Sequence, residues 1–124
     1  MNPGAANGNN GVEQRCRLQG RNRFLAIRAQ GRRWVHPLLI LGGLPNHLDV
    51  TRCGFVASGK LGKAVVRNRA RRRLREAVRL CYRHISPGWD LVWIARPPIL
   101  EADFQRVAAA VEELLRQANV WRST

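Results

Sequence analysis

Eight arginines lie between Lys60 and Ile85, at positions 67, 69, 71, 72, 73, 75, 79 and 83, against a single acid, Glu76. Guanidinium groups at that density suit the gripping of phosphate. Each is a planar fork of donors that holds an oxyanion bidentately and can stack on a base. Asn68 sits among them and adds a neutral donor and acceptor, able to orient a base edge, a phosphate or a metal-bound water. Just upstream, Ser58 to Lys63 reads as a flexible basic loop in which Gly59 and Gly62 allow close backbone approach to a ligand. The N–H groups that open the following helix offer a further phosphate seat.

These side chains need a rigid carrier. At about 100° per residue, Ala70, Leu74, Ala77, Val78, Cys81 and Ile85 form an apolar stripe roughly 100° wide. Arg69, Arg71, Arg72, Arg73, Arg75, Arg79 and Arg83 fill the remainder. An ordinary solvated helix face mixes acids and bases at i,i+4 spacing. Here Arg71–Arg75, Arg75–Arg79 and Arg79–Arg83 are like-charge pairs, each repulsive by a few tenths of a kcal/mol. A polyanion laid on that face removes the repulsion.

The whole chain repeats the bias. Its 124 residues carry 22 basic and 8 acidic side chains, a net charge of +14. Only Lys60 and Lys63 among the basic residues are lysine, which favours nucleic acid over a membrane surface. The length suits one domain, residues 15–124, behind an Asn/Gly-rich tail at 1–14 that reads as disordered. No apolar run approaches membrane-spanning length and no secretory h-region opens the chain. Cys16, Cys53 and Cys81 are isolated, as are His36, His47 and His84, and none has zinc-ligand spacing. We expect a soluble protein of the reducing cytoplasm, without a metal site. We also expect no catalytic side chains. Metal-dependent nucleases cluster carboxylates, yet Glu76 is the only acid between Asp49 and Asp90.

Other elements follow in order. Asn22 suits the cap of a first helix running to about Gln30, with Gly31 at its stop. Phe24 on that helix is either a core anchor or a stacking platform for an unpaired base. Arg32 to Leu44 reads as a buried strand broken early by Pro37. Thr51 to Ser58 alternates Arg52, Gly54, Val56 and Ser58 against Cys53, Phe55 and Ala57, a second strand. The arginine helix should stop at Ser86-Pro87-Gly88. Asp90 to Arg96 is a further strand. Asp103 caps a last helix to about Gln117, whose stripe is Phe104, Val107, Ala108, Val111, Leu114, Leu115 and Ala118. Its outer acids suggest that it faces away from nucleic acid. This order suits a mostly antiparallel sheet with helices packed on it, and a right-handed crossover through the basic helix is the physical default.

The run Lys60-Leu61-Gly62-Lys63-Ala64-Val65-Val66-Arg67-Asn68-Arg69-Ala70-Arg71-Arg72, continued by Arg75 and Glu76, resembles the signature of the bacterial ribonuclease P protein subunit: a Lys-x-Gly-x-Ala-Val loop followed by Arg-Asn-Arg. The resemblance covers nearly the whole chain. It implies an α+β fold, a compact two-layer α/β sandwich of order αβββαβα, ribosomal-protein-S5-domain-2-like, with a left-handed βαβ crossover. It implies a protein that joins a large catalytic RNA and assists magnesium-dependent removal of the 5′ leader of precursor tRNA. The RNA carries the chemistry and binds most of the Mg2+. The implied contacts with catalytic RNA are Lys60, Gly62, Lys63, Arg67, Asn68, Arg69, Arg71, Arg72, Arg75 and Arg79. Phe24, Arg28 and Phe55 map to the leader cleft. The family often has an aromatic at Arg28 and a lysine at Gly59. The implied partners are the catalytic RNA and precursor tRNA, with no membrane, no obligate protein partner and room for a weak homodimer. A ribosomal or general RNA-binding protein without a role in cleavage is the alternative.

Overall fold

A computed structural model of the chain describes residues 16–123. The expected tail at 1–14 lies outside them. The elements are α1 (Arg21–Gln30), β1 (Arg32–Val35), β2 (Leu39–Pro45), β3 (Arg52–Ala57), α2 (Ala64–Cys81), β4 (Trp89–Ala95) and α3 (Phe104–Gln117). Short 3-10 turns at Gly59–Leu61, Tyr82–His84 and Pro97–Glu101 join them. The order is αβββαβα.

The four strands form one sheet in the order β1-β2-β4-β3. β1 and β2, and β2 and β4, pair antiparallel. β3 pairs parallel with β4, with Arg52 opposite Asp90 and Phe55 opposite Trp93, so the sheet is mixed. The crossover between those parallel neighbours runs through α2.

The apolar stretch around Pro37 forms two strands, not one. His36-Pro37-Leu38 is the bend of an antiparallel hairpin, closed by a bond of 2.9 Å from the His36 N–H to the Leu39 carbonyl. Proline cannot donate to a ladder, so it falls at the bend. α1 also starts differently from expectation. Gly20, at φ 92°, is its N-cap and no side chain caps it, so Asn22 lies inside the helix. Gly31 ends it for reasons of space: a Cβ there would stand 2.6 Å from the carbonyl oxygens of Gly43 and Ile27.

Strand alternation divides the sheet into two faces. On one, Leu39, Leu41, Cys53, Ala57, Leu91, Trp93 and Ala95 meet Ala70, Leu74, Ala77 and Val78 of α2 and Val107, Ala110, Val111, Leu114 and Leu115 of α3. This is the main core, and Trp93 is wholly buried in it. On the other, Ile27 of α1 and Leu18 pack on Val92, with Phe24, Leu44, Val56 and Ile94 around them.

α2 keeps its apolar stripe but is shorter than the arginine run. It ends at Cys81 and passes into the Tyr82–His84 turn, so Ile85 is buried beyond the helix and Ser86-Pro87-Gly88 lies past its end. The Asp103 side chain accepts a 2.9 Å bond from the Arg106 N–H, the expected N-cap of α3. Asn119, at φ 63°, follows α3 in the left-handed region. The Val120 N–H reaches the Leu115 carbonyl at 3.0 Å, which turns the chain back along the end of α2.

A candidate nucleic-acid interface

The site grows from the seam between β3 and α2. Ser58 closes β3 and caps the 3-10 turn, its hydroxyl accepting from the Lys60 N–H at 3.3 Å. Leu61 is buried and anchors that turn. Gly62 then adopts φ 129°, a conformation open to glycine and strained for L side chains, and this redirects the chain into α2. Lys63 is the N-cap of α2 and offers no side-chain cap. Lys60 and Lys63 are both exposed at this entrance. The Arg67 Nη1 donates to the Gly62 carbonyl at 3.2 Å, tying the helix to the turn before it.

Along α2 the arginines divide by surroundings. Arg69 and Arg72 are exposed, and no hydrogen bond or ion pair engages either among the described residues. Arg71 donates through Nη2 to Asn68 Oδ1, which holds the amide oxygen and leaves the amide N–H groups to a ligand. Arg75 lies with its Cζ 5.5 Å from the centre of the Phe55 ring. Burial holds the Arg75 guanidinium below its ordinary pKa, and the charges of Arg17, Arg71 and Arg72 add to this. An anion beside it relieves both effects.

Two arginines depart from a uniformly open cationic face. Arg73 turns toward the start of α3, where Nη1 donates to the Ala102 carbonyl. Arg79 pairs with Glu76, at 3.0 Å through Nε and 2.5 Å through Nη2. The hydrogen bonds to Arg79, then its charge, hold Glu76 below the usual carboxylate range. This pair also offsets the repulsion expected of Arg75–Arg79. Arg83 lies in the turn beyond the helix.

Beside α2, at the edge of β3, lies a cleft of about 310 Å³ lined by Arg17, Leu18, Phe24, Cys53, Gly54, Phe55 and Arg75. Residues before α1 form part of its wall: Arg17 bridges to Cys53, and the Leu18 N–H donates to the Cys53 carbonyl at 2.9 Å. Phe24 and Phe55 reach the cleft from different elements, and Arg17 and Arg75 supply its charge. Phe24 rests on Gly54, where a Cβ would come within 2.6 Å of its ring. Phe55 is half-buried and serves both the main core and the cleft. Arg28 is exposed near the end of α1 and is absent from the cleft lining.

Arg17 and Gly54 were not singled out from sequence as site residues. Gly54 carried a signal, a glycine inside an alternating strand, which marks close approach by another group. Asp90 was also missed. It is wholly buried, and its carboxylate accepts from Arg52 Nε and Nη2 at 2.8 and 2.7 Å, from Arg23 Nε at 2.7 Å and from Asn46 Nδ2 at 2.9 Å. Burial works to raise its pKa, but the bonds from Arg52, Asn46 and Arg23 outweigh burial and hold it below the carboxylate range. Arg23 and Arg52 are therefore engaged in fixing α1 and β3 to the sheet. The place of Asp90 opposite Arg52 follows from the pairing of β3 with β4, which no local pattern announces.

Cys53 and Cys81 are free thiols, pushed up by burial to about 12 and about 11. Neither is poised as a thiolate near neutral pH. Among the described residues, no group of three or more His, Cys, Asp or Glu side chains is arranged to hold a metal ion.

An arginine-coated helix beside a cationic cleft with aromatic walls has the chemistry of the nucleic-acid-binding class of protein. Comparison with known proteins agrees. Residues 12–119 match the family described as Ribonuclease P. The ribonuclease P protein component of Roseiflexus castenholzii is 49% identical over 110 residues, covering 88% of this chain and 90% of the relative. That of Symbiobacterium thermophilum is 46% identical, covering 88% and 96%. The RNase P protein of Staphylococcus aureus superposes with a TM-score of 0.77 at 28% identity, over 86% of this chain and 98% of that one. That of Thermotoga maritima gives 0.75 at 32% identity, over 82% and 96%. The chain belongs to the ribonuclease P protein family.

Proposed function

We propose that this subunit of ribonuclease P binds the catalytic RNA along α2 and the single-stranded 5′ leader of precursor tRNA in the cleft at the β3 edge. The observation that carries the reading is the contrast between neighbouring arginines. Arg23 and Arg52 are matched by Asp90 and Arg79 by Glu76, whereas Arg69 and Arg72 stand exposed on the outer face of α2.

The protein's part in tRNA processing is binding and positioning. Lys60 and Lys63 at the entrance, with Arg67, Asn68, Arg69, Arg71, Arg72 and Arg75 along the helix, offset repulsion between two RNAs brought together. Arg79 joins them by exchanging Glu76 for phosphate. Phe24 and Phe55 stack on unpaired leader bases while Arg17 and Arg75 hold the adjoining phosphates. Stacking of this kind contributes about 1–3 kcal/mol per base and tolerates any sequence. Hydrolysis is carried by the RNA, and the magnesium it uses is bound mainly by RNA. No helix among the described residues is long and apolar enough to cross a membrane, and the cytoplasm is the compartment that fits.

The test is titration of the protein into its cognate RNA with a precursor tRNA at physiological magnesium. Restored cleavage at the mature 5′ end is the expected result. Tight RNA binding without restored cleavage supports the general RNA-binding alternative instead.

A further inference from the structure

At the far end of α2, a second cluster of cations is assembled by the chain's last described residues. The Val120–Arg122 segment returns along the Tyr82–His84 turn. The Ser86 N–H donates to the Val120 carbonyl at 2.8 Å, and the Arg122 N–H to the His84 carbonyl at 2.6 Å. Ile85 and Trp121 form a β-bridge. The His84 ring stacks on Trp121, with centroids 4.7 Å apart and planes 11° from parallel. Arg116 of α3 lies over the same indole, its Cζ 4.8 Å from the centroid. The Arg122 Nε donates to the Arg83 carbonyl at 3.1 Å.

The cluster is charged and underused. Glu112 answers Arg116 at 2.8 Å. The side chains of Arg83 and Arg122 are exposed and meet no carboxylate among the described residues. Fixing Arg122 through Nε leaves both Nη groups, the half of the fork that grips an oxyanion bidentately. The Trp121 ring is already in contact with an imidazole and a guanidinium, so the cluster presents cations rather than an open stacking platform. Arg69 stands about 18 Å along the helix axis from the end of α2 at Cys81, and Arg83 lies in the turn beyond that end. The separation is more than two Debye lengths at physiological salt. A phosphate held at Arg69 cannot also serve Arg83.

We propose that Arg83 and Arg122, organised by His84 and Trp121, form a second RNA contact, one that grips the sugar–phosphate backbone of the catalytic RNA independently of the outer α2 face and the cleft. The proposal rests on the reading of the chain as an RNA-bound subunit. It concerns the Tyr82–His84 turn and the segment after α3, not the outer face of α3 itself.

The test measures the affinity of the full-length protein for its cognate catalytic RNA across a salt series. Each phosphate contact contributes about 0.7–0.9 to the log–log slope. The Arg83→Gln/Arg122→Gln pair should flatten the slope by about 1.4–1.8, with an unchanged melting temperature. Arg83→Lys/Arg122→Lys, which keeps the charge, should restore most of it. A wild-type slope for the glutamine pair, alongside a flattened one for Arg69→Gln/Arg72→Gln, overturns this proposal and leaves the α2 assignment standing. A slope insensitive to both pairs overturns the α2 assignment and this proposal with it. Loss of self-association in the glutamine pair at an unchanged slope assigns the cluster to a second copy of the chain and also overturns the proposal.

Discussion

Replacing Gly54 with alanine should damage leader binding without removing a charge or an aromatic ring. The added Cβ would stand 2.6 Å from Phe24 Cζ, 2.9 Å from Cε1 and 3.4 Å from Leu18 Cβ. Ordinary carbon contacts need about 3.5 Å, so the Phe24 ring must retreat by about 0.9 Å or swing away. Gly54 lies on β3, paired along its length with β4, so the aromatic ring is the part that yields. Overpacking of this kind costs about 1–3 kcal/mol of stability. Displacing one stacked base costs a similar 1–3 kcal/mol of binding, which corresponds to roughly 5- to 150-fold in affinity. The assay compares the reconstituted holoenzyme on precursor tRNA and on tRNA lacking a leader. Gly54→Ala should weaken binding of the first about tenfold and leave the second unchanged. Phe24→Ala should do the same, and the double variant should be no worse than either alone. Unchanged affinity for the leader-bearing substrate, or losses that add, would refute the idea that Gly54 seats a leader-stacking ring.

Further expectations concern the scaffold. Asp90→Asn leaves Arg23 and Arg52 without their anion and should destabilise the fold by about 3 kcal/mol, measured by urea unfolding at neutral pH. Because folding lowers the Asp90 pKa, its contribution is present above the unfolded value near 3.9 and disappears as pH falls through the folded one. The asparagine variant should therefore show a flatter dependence of stability on pH between about 5 and 2 than the parent, and a parallel curve would count against this network. Asp103→Ala removes the α3 cap and should cost about 1 kcal/mol in the same experiment, with RNA affinity unchanged.

Much of this architecture is legible along the chain because local signals and burial coincide. The α2 stripe of Ala70, Leu74, Ala77 and Val78 faces the core as its periodicity demands. Asp103 caps α3, and Cys53 and Ala57 turn inward while Gly54 and Val56 face α1. The misreadings share a cause. Pro37 ends one strand and begins a hairpin, a distinction that depends on which strand pairs with which. Asn22 has the chemistry of a cap, but Gly20 supplies the turn. α2 ends at Cys81 in a 3-10 turn, against which the Val120–Arg122 segment returns, a contact that no local pattern announces. The cleft is less legible still, because Arg17, Phe24, Gly54, Phe55 and Arg75 converge only through pairing at the β3 edge. The fates of the arginines depend on partners distant in sequence. Ala102 takes Arg73, and Asp90 takes Arg23 and Arg52.

The central claim is that the exposed guanidiniums of α2 rest on the catalytic RNA. Arg69→Ala/Arg72→Ala in the reconstituted cleavage assay tests it most directly. Each charge-assisted contact contributes about 1.5 kcal/mol. The protein concentration giving half-maximal cleavage should therefore rise about 100-fold, with an unchanged melting temperature because neither side chain belongs to the core. Wild-type titration by a folded double variant would contradict it.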